Sequence, residues 1–263
     1  MSQALLIRPR FDTPTSYSWA WAGELAEEIK GRFNLTDLSD GVSRAQVEEV
    51  IKSKDPYLIV FYDHGIEGAW IGNAEGEHVI DLTNVQLLTN RIAYSMSCLS
   101  AKGLGVEAYK KGCKVFVGYT EEFTFNVQDE GMFKDCANYG LKLWLKGESD
   151  WAKIKQSWIE FWNKMIDSAS DPWTKMFLRS DRDALRVITK GVDEPTETKC
   201  FFRSLALKLF GTSLGWKITR KAGLSTILLI LGLASVLTLP YIGIPLILLS
   251  YLLITYEYLN QLK

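Results

Sequence analysis

Cysteine and histidine are scarce in this sequence, with four of the former and two of the latter in 263 residues. The cysteines, Cys98, Cys113, Cys136 and Cys200, form no CxxC pair. A disulfide scaffold is thereby excluded, and a structural zinc site lacks its usual ligand spacing. An excess of one charge is also missing: thirty basic against thirty-one acidic side chains leave a net −1. That balance argues against nucleic acid as a partner, because binding it needs surplus Lys and Arg to neutralise phosphates. Neither GxGxxG nor GxxxxGK(S/T) occurs, so the commonest nucleotide-binding loops are absent. No metal or other cofactor is implied.

What is present divides the chain in two. From Lys199 onward there are seven basic side chains and one acid, Glu257, a net +6 that leaves −7 on residues 1–198. Ala222 to Tyr256 contains no charged residue, and Pro240-Tyr241-Ile242-Gly243-Ile244-Pro245 interrupts it. Two apolar helices joined by a tight turn are expected, as a transmembrane or re-entrant hairpin over 222–258, with one long, tilted and kinked helix as the third option. Residues 200–221 mix aromatics, aliphatics and bases, as an interfacial segment facing lipid headgroups does. Residues 191–199 read as a linker. Lys217, Arg220 and Lys221 flank the apolar stretch and place residues 1–198, by the positive-inside tendency, in the cytoplasm. Met1 to Arg10, with Arg-Pro-Arg after four apolar residues, does not read as an export signal and agrees with that expectation.

Residues 1–190 predict an α/β fold: a mainly parallel open sheet of about five to six strands sandwiched by helices. Strands are expected at Ala4–Ile7, Phe33–Leu38, Tyr57–Tyr62, Ile92–Ser97 and Lys114–Tyr119. A hairpin is expected around Asn73-Ala74-Glu75-Gly76. Helical spacing starts at Trp19, Ser43 and Gln46 stand in capping-box spacing, and a further helix runs from about Leu104 to Lys111. Beyond Asn126 three helices are expected, near 127–146, 150–168 and 172–189, with Trp144, Trp151, Trp158, Trp162 and Trp173 read as packing residues.

Open α/β sheets carry their sites at the carboxyl ends of strands. His64 follows the strand ending at Tyr62, and Cys98 follows the strand ending at Ser97. If those strands are neighbours, imidazole and thiol face one crevice, as a cysteine nucleophile and its base must. Gly65 lacks a side chain, so its N–H can act with that of Cys98 on an oxyanion. Glu121 and Glu122, after the last strand, are candidates for receiving an Arg or Lys side chain. Cys113, Cys136 and Cys200 read as inert buried thiols, and His78 as a surface residue.

The order Asp63-His64-Gly65, hairpin, then Ser95-Met96-Ser97-Cys98-Leu99-Ser100-Ala101 at a strand end resembles the caspase-haemoglobinase cysteine peptidases. Gingipain-like and CHAT-type members are closest in style. The resemblance spans about residues 57–123. It implies a caspase-like sheet and a peptide or protein substrate, with His64 as general base or acid and Cys98 as nucleophile. The expected activity is that of a membrane-anchored cysteine endopeptidase. The alternatives are a catalytically latent binding or signalling module and a membrane-perturbing effector whose apolar tail acts on the lipid bilayer.

Overall fold

A computed structural model describes residues 1–195. The chain opens with β1 (Gln3–Ile7), α1 (Thr13–Lys30), β2 (Asn34–Leu38), α2 (Arg44–Lys54) and β3 (Leu58–Tyr62). Three short strands follow, β4 (Gly65–Ile66), β5 (Ala69–Ile71) and β6 (His78–Asp81), then a 3-10 turn at Val85–Leu88. Next come β7 (Ile92–Met96), α3 (Leu104–Lys110) and β8 (Val115–Tyr119). Three helices, α4 (Glu130–Leu145), α5 (Trp151–Ser168) and α6 (Pro172–Ala184), lead to β9 (Leu185–Ile188).

Six strands form one sheet in the order β2-β1-β3-β7-β8-β9. The first five are parallel, and β9 returns antiparallel to β8. The parallel strands β1, β3, β7 and β8 are apolar on both faces because helices cover both. Leu6, Val60, Tyr94 and Val117 face one core, packed by α1, α4, α5 and α6. Leu5, Ile59, Ala93 and Phe116 face the other, closed by α2, α3 and the small β4–β5–β6 sheet. The strand order reverses between β1 and β3: the chain goes out to β2, then back and onward through β3. At such a switch point the connections diverge and leave a crevice outside the carboxyl ends.

A buried polar network fixes α1 and α4 to one face of the sheet. Tyr62 Oη donates to Asn138 Oδ1 at 2.7 Å, and Asn138 Nδ2 donates to Trp21 O at 3.0 Å. Tyr94 Oη donates to Ala137 O at 2.5 Å. One buried amide thus ties β3, α1 and α4 together, with its partners supplied inside the core as burial requires.

Four local features depart from the sequence reading. Helix α1 starts at Thr13 rather than near Trp19, because Asp12 and Thr15 form a reciprocal capping box and Pro14 suits the first turn. The hairpin gains a third strand, β4. The expected helix 172–189 stops at Ala184, and Leu185–Ile188 form β9 instead. Leu185 and Val187 enter one core and Ile188 the other, so this short run completes the exposed edge of β8. Trp151, Trp158 and Trp162 are buried, but Trp173 is 64% exposed and does not pack as expected. The linker from residue 196 onward, the segment 200–221 and the apolar hairpin 222–258 lie outside the described residues. Among those described, no helix is long and apolar enough to cross a membrane.

Candidate active site

The expected neighbours are neighbours: β3 pairs directly with β7, with Tyr62 opposite Met96. His64 and Cys98 each lie two residues past that matched pair. They line one cleft of about 360 Å³ together with residues of α1 and the loop after β8. Pro14, Tyr17, Met96, Phe123, Phe125 and Val127 form its apolar wall.

His64 is held by a residue that the sequence reading did not single out. Its Nε2 lies 2.7 Å from Asp12 Oδ2, and the Phe11 ring stands tilted at 5.8 Å from the imidazole. Asp12 follows β1, which is the strand beside β3, so the pair spans the switch point. The other oxygen of the same carboxylate accepts the Thr15 N–H at 2.8 Å and caps α1. Partial burial pushes the Asp12 carboxyl up. The Thr15 N–H, the His64 ring and the Thr15 hydroxyl outweigh that effect, and the group sits below its ordinary range. The signal was present in Asp12-Thr13-Pro14-Thr15, a helix-start pattern placed just beyond a strand end.

Gly65 is required by space. A Cβ there would lie 2.8 Å from both Cys98 O and Ser97 Cβ, closer than side-chain carbons approach. Ile71 N–H donates to His64 O, and Gly65 and Trp70 are the next antiparallel pair. In that alternation Gly65 occupies the non-hydrogen-bonded position, with its N–H turned away from β5. Cys98 N–H donates to no backbone carbonyl among the described residues.

The Cys98 loop is pinned from two sides. Leu99 N–H donates to Glu121 O at 3.2 Å, and Ala101 N–H donates to Tyr119 O at 3.0 Å. Leu99 itself has φ 59°, a left-handed conformation unusual for a residue with a Cβ, held by these flanking bonds. Beneath it, Ser95 and Ser97 hydroxyls lie 2.5 Å apart, and Ser100 Oγ donates to Ser97 O at 3.2 Å. Phe123 N–H donates to Cys98 Sγ at 3.4 Å. The next N–H, of Thr124, is held by Asp181 of α6 at 3.1 Å.

Burial pushes the Cys98 thiol up. The Phe123 N–H opposes that shift, and the charges of Glu122 and Asp181 add to it. The resting group is therefore a thiol rather than a thiolate. Cys113 is buried and pushed up to about 12, and burial also raises Cys136, whereas Cys200 lies outside the described residues. His78 is at the surface, its side chain 42% exposed and its Nδ1 3.8 Å from Asp81. Glu121 is 63% exposed and stands 3.6 Å from Lys102 Nζ, and Glu122 is exposed. Neither side chain lines the cleft. Among the described residues, no group of three or more His, Cys, Asp and Glu side chains is placed to hold a metal ion. No known family's sequence profile matches this chain, and no curated protein matches it.

Proposed function

We propose that the chain is a cysteine endopeptidase of caspase-like architecture, working through His64 and Cys98. The observation that carries this reading is the convergence of Asp12–His64 and Cys98 on one cleft at the ends of adjacent strands. With Nε2–H donated to Asp12, His64 Nδ1 keeps a lone pair for the thiol proton. Cys98 Sγ gives its proton to that nitrogen as it attacks the peptide carbonyl carbon. The oxyanion is received by the N–H groups of Gly65 and Cys98. Collapse breaks the C–N bond, and the imidazolium returns the proton to the leaving amine, leaving a thioester on Cys98. Water, losing a proton to His64, then attacks the thioester, and the peptide acid departs as the thiol is restored. The negative charge of Asp12 stabilises the imidazolium formed in both halves.

Outside the described residues, the uncharged stretch 222–256 and its basic flank support an anchored enzyme, a chain seated on the cell membrane with its catalytic part on the cytoplasmic side. The raised Cys98 thiol favours a second reading, a binding or signalling module whose cleft takes a peptide without cleaving it.

The two are separated by covalent labelling of the full chain in detergent with peptidyl acyloxymethyl ketones, beside hydrolysis of a mixed peptide library. A peptidase labels at Cys98, loses labelling in Cys98→Ala, slows in His64→Ala and cleaves the library. Binding of library peptides without labelling or cleavage establishes the module instead.

A further inference from the structure

Asp63 is only 5% exposed, yet it lines the cleft beside His64, Ser97 and Cys98. Its Oδ1 accepts the His64 backbone N–H, whereas Oδ2 is buried with no hydrogen-bond partner among the described residues. Buried polar oxygens are nearly always partnered, and leaving one unpartnered is costly. A group on a bound ligand that completes it removes that cost.

The chemistry of the missing partner follows from what else faces Asp63. Asp12 from the β1–α1 loop, Tyr17 from α1, His64 from its own loop and Cys98 from the loop after β7 are the titratable side chains there. Burial pushes the Asp63 carboxyl up to about 8; the His64 N–H opposes this and the Asp12 charge adds to it. At neutral pH Asp63 is a protonated acid, able to donate through an O–H. Asp12 is engaged by the His64 ring, and Glu121 and Glu122 lie off the cleft. A cation entering the cleft meets no free carboxylate. The wall it meets is Pro14, Tyr17, Met96, Phe123, Phe125 and Val127.

Resting on the peptidase reading, we propose that the cleft takes an uncharged apolar or aromatic side chain of a peptide, and that the Asp63 carboxyl donates a hydrogen bond to a carbonyl oxygen of that peptide. Asp63 is then a specificity residue, and the basic-residue preference attached to Glu121 and Glu122 is replaced by an apolar one.

The test uses the full chain in detergent and peptidyl acyloxymethyl ketones differing only in the residue beside the electrophile: Leu, Phe, Asp or Arg. Iodoacetamide, too small to fill the cleft, reports the reactivity of Cys98 alone. The Leu and Phe probes are expected to label about tenfold faster than the Arg and Asp probes, the scale of a buried charge left without a partner. Asp63→Leu, which removes both the bond to the peptide and the acceptor of the His64 N–H, slows the Leu probe by about tenfold or more, while Asp63→Asn, whose amide keeps an oxygen for that N–H and an N–H to donate, stays within about threefold. Iodoacetamide labelling is the same in all three proteins. Above about pH 8, as Asp63 loses its proton, the Leu-probe rate falls relative to iodoacetamide in the wild type and not in Asp63→Asn.

An Arg probe that is fastest in the wild type and slow in Asp63→Asn overturns the inference, as do rates indifferent to both probe and variant. If iodoacetamide labels Cys98 and no peptide probe does, the peptidase reading falls and takes the inference with it. If peptide probes label the wild type normally and the Asp63 variants match it, only the inference falls.

Discussion

Asp12 Oδ2 lies 2.7 Å from His64 Nε2 while Oδ1 of the same carboxylate caps helix α1, so one side chain serves both a helix end and the imidazole. Asp12→Asn and Asp12→Ala therefore separate the two duties. The amide keeps an oxygen for Thr15 N–H and loses the charge opposite His64. Asp12→Asn is expected to slow peptide-probe labelling of Cys98 by about tenfold or more with little change in thermal midpoint. Asp12→Ala slows labelling as much and also destabilises the fold by about 1 kcal/mol through the lost cap. Equal labelling by wild type and Asp12→Asn would remove Asp12 from the mechanism.

Gly65→Ala places a methyl group where Cys98 O and Ser97 Cβ already stand at 2.8 Å. The two loops must part, which costs about 1–3 kcal/mol as overpacking does and carries the Gly65 N–H away from any oxyanion. Turnover of a peptide substrate is expected to fall by about a hundredfold, the scale of one lost oxyanion donor. Steady-state kcat with KM little altered is the diagnostic pattern.

Cys98 carries a thiol held above the ordinary cysteine range by burial and by the Glu122 and Asp181 charges. Alkylation by iodoacetamide without peptide should therefore rise with pH to a midpoint above that of a free cysteine. Glu122→Gln removes one negative charge and moves the midpoint down. An unmoved or raised midpoint in Glu122→Gln contradicts the electrostatic account. Alkylation traced by mass spectrometry across a pH series measures it.

Asp63 gives the fold its own pH dependence. Its folded value of about 8 exceeds that of an exposed aspartate, so between about pH 4 and 8 the unfolded chain has released a proton that the folded chain retains. Its contribution to stability falls as pH rises through that window and levels off above it. Asp63→Asn cannot ionise, so its stability relative to wild type should climb from pH 5 to pH 8. Thermal midpoints of both proteins at the two pH values decide it, and a constant difference refutes the assignment.

Much of this architecture could be read from apolar runs. The runs at Tyr57–Tyr62 and Ile92–Ser97 mark strands covered on both faces, and the rule about strand ends then brings His64 and Cys98 forward. Asp12 escaped because it stands five residues past Ile7, where the sequence displays a helix start rather than a strand end. Applying the same rule to β1 would have found it. The strand at Leu185–Ile188 escaped for another reason: it follows α6 with no glycine or proline between them, and its four residues gain strand character only beside the open edge of β8. Asp63 was legible as a neighbour of His64, but its burial arises only when the loops close around it.

The sense of the last strand decides where the protein can be handled. Leu185 pairs with Tyr119 at the cleft end of the sheet and Ile188 with Phe116 nearer the opposite end, so β9 carries the backbone away from the cleft. Thr189 Oγ1 then donates to Lys114 O, and the Glu194 carboxylate receives the Tyr109 hydroxyl at that far end. A reporter or affinity tag inserted at the exposed turn of Lys190 and Gly191 would stand on the side remote from Cys98, leaving the mouth of the cleft open to a long peptide, whereas beyond that turn the chain doubles back and Asp193 N–H donates to Val187 O.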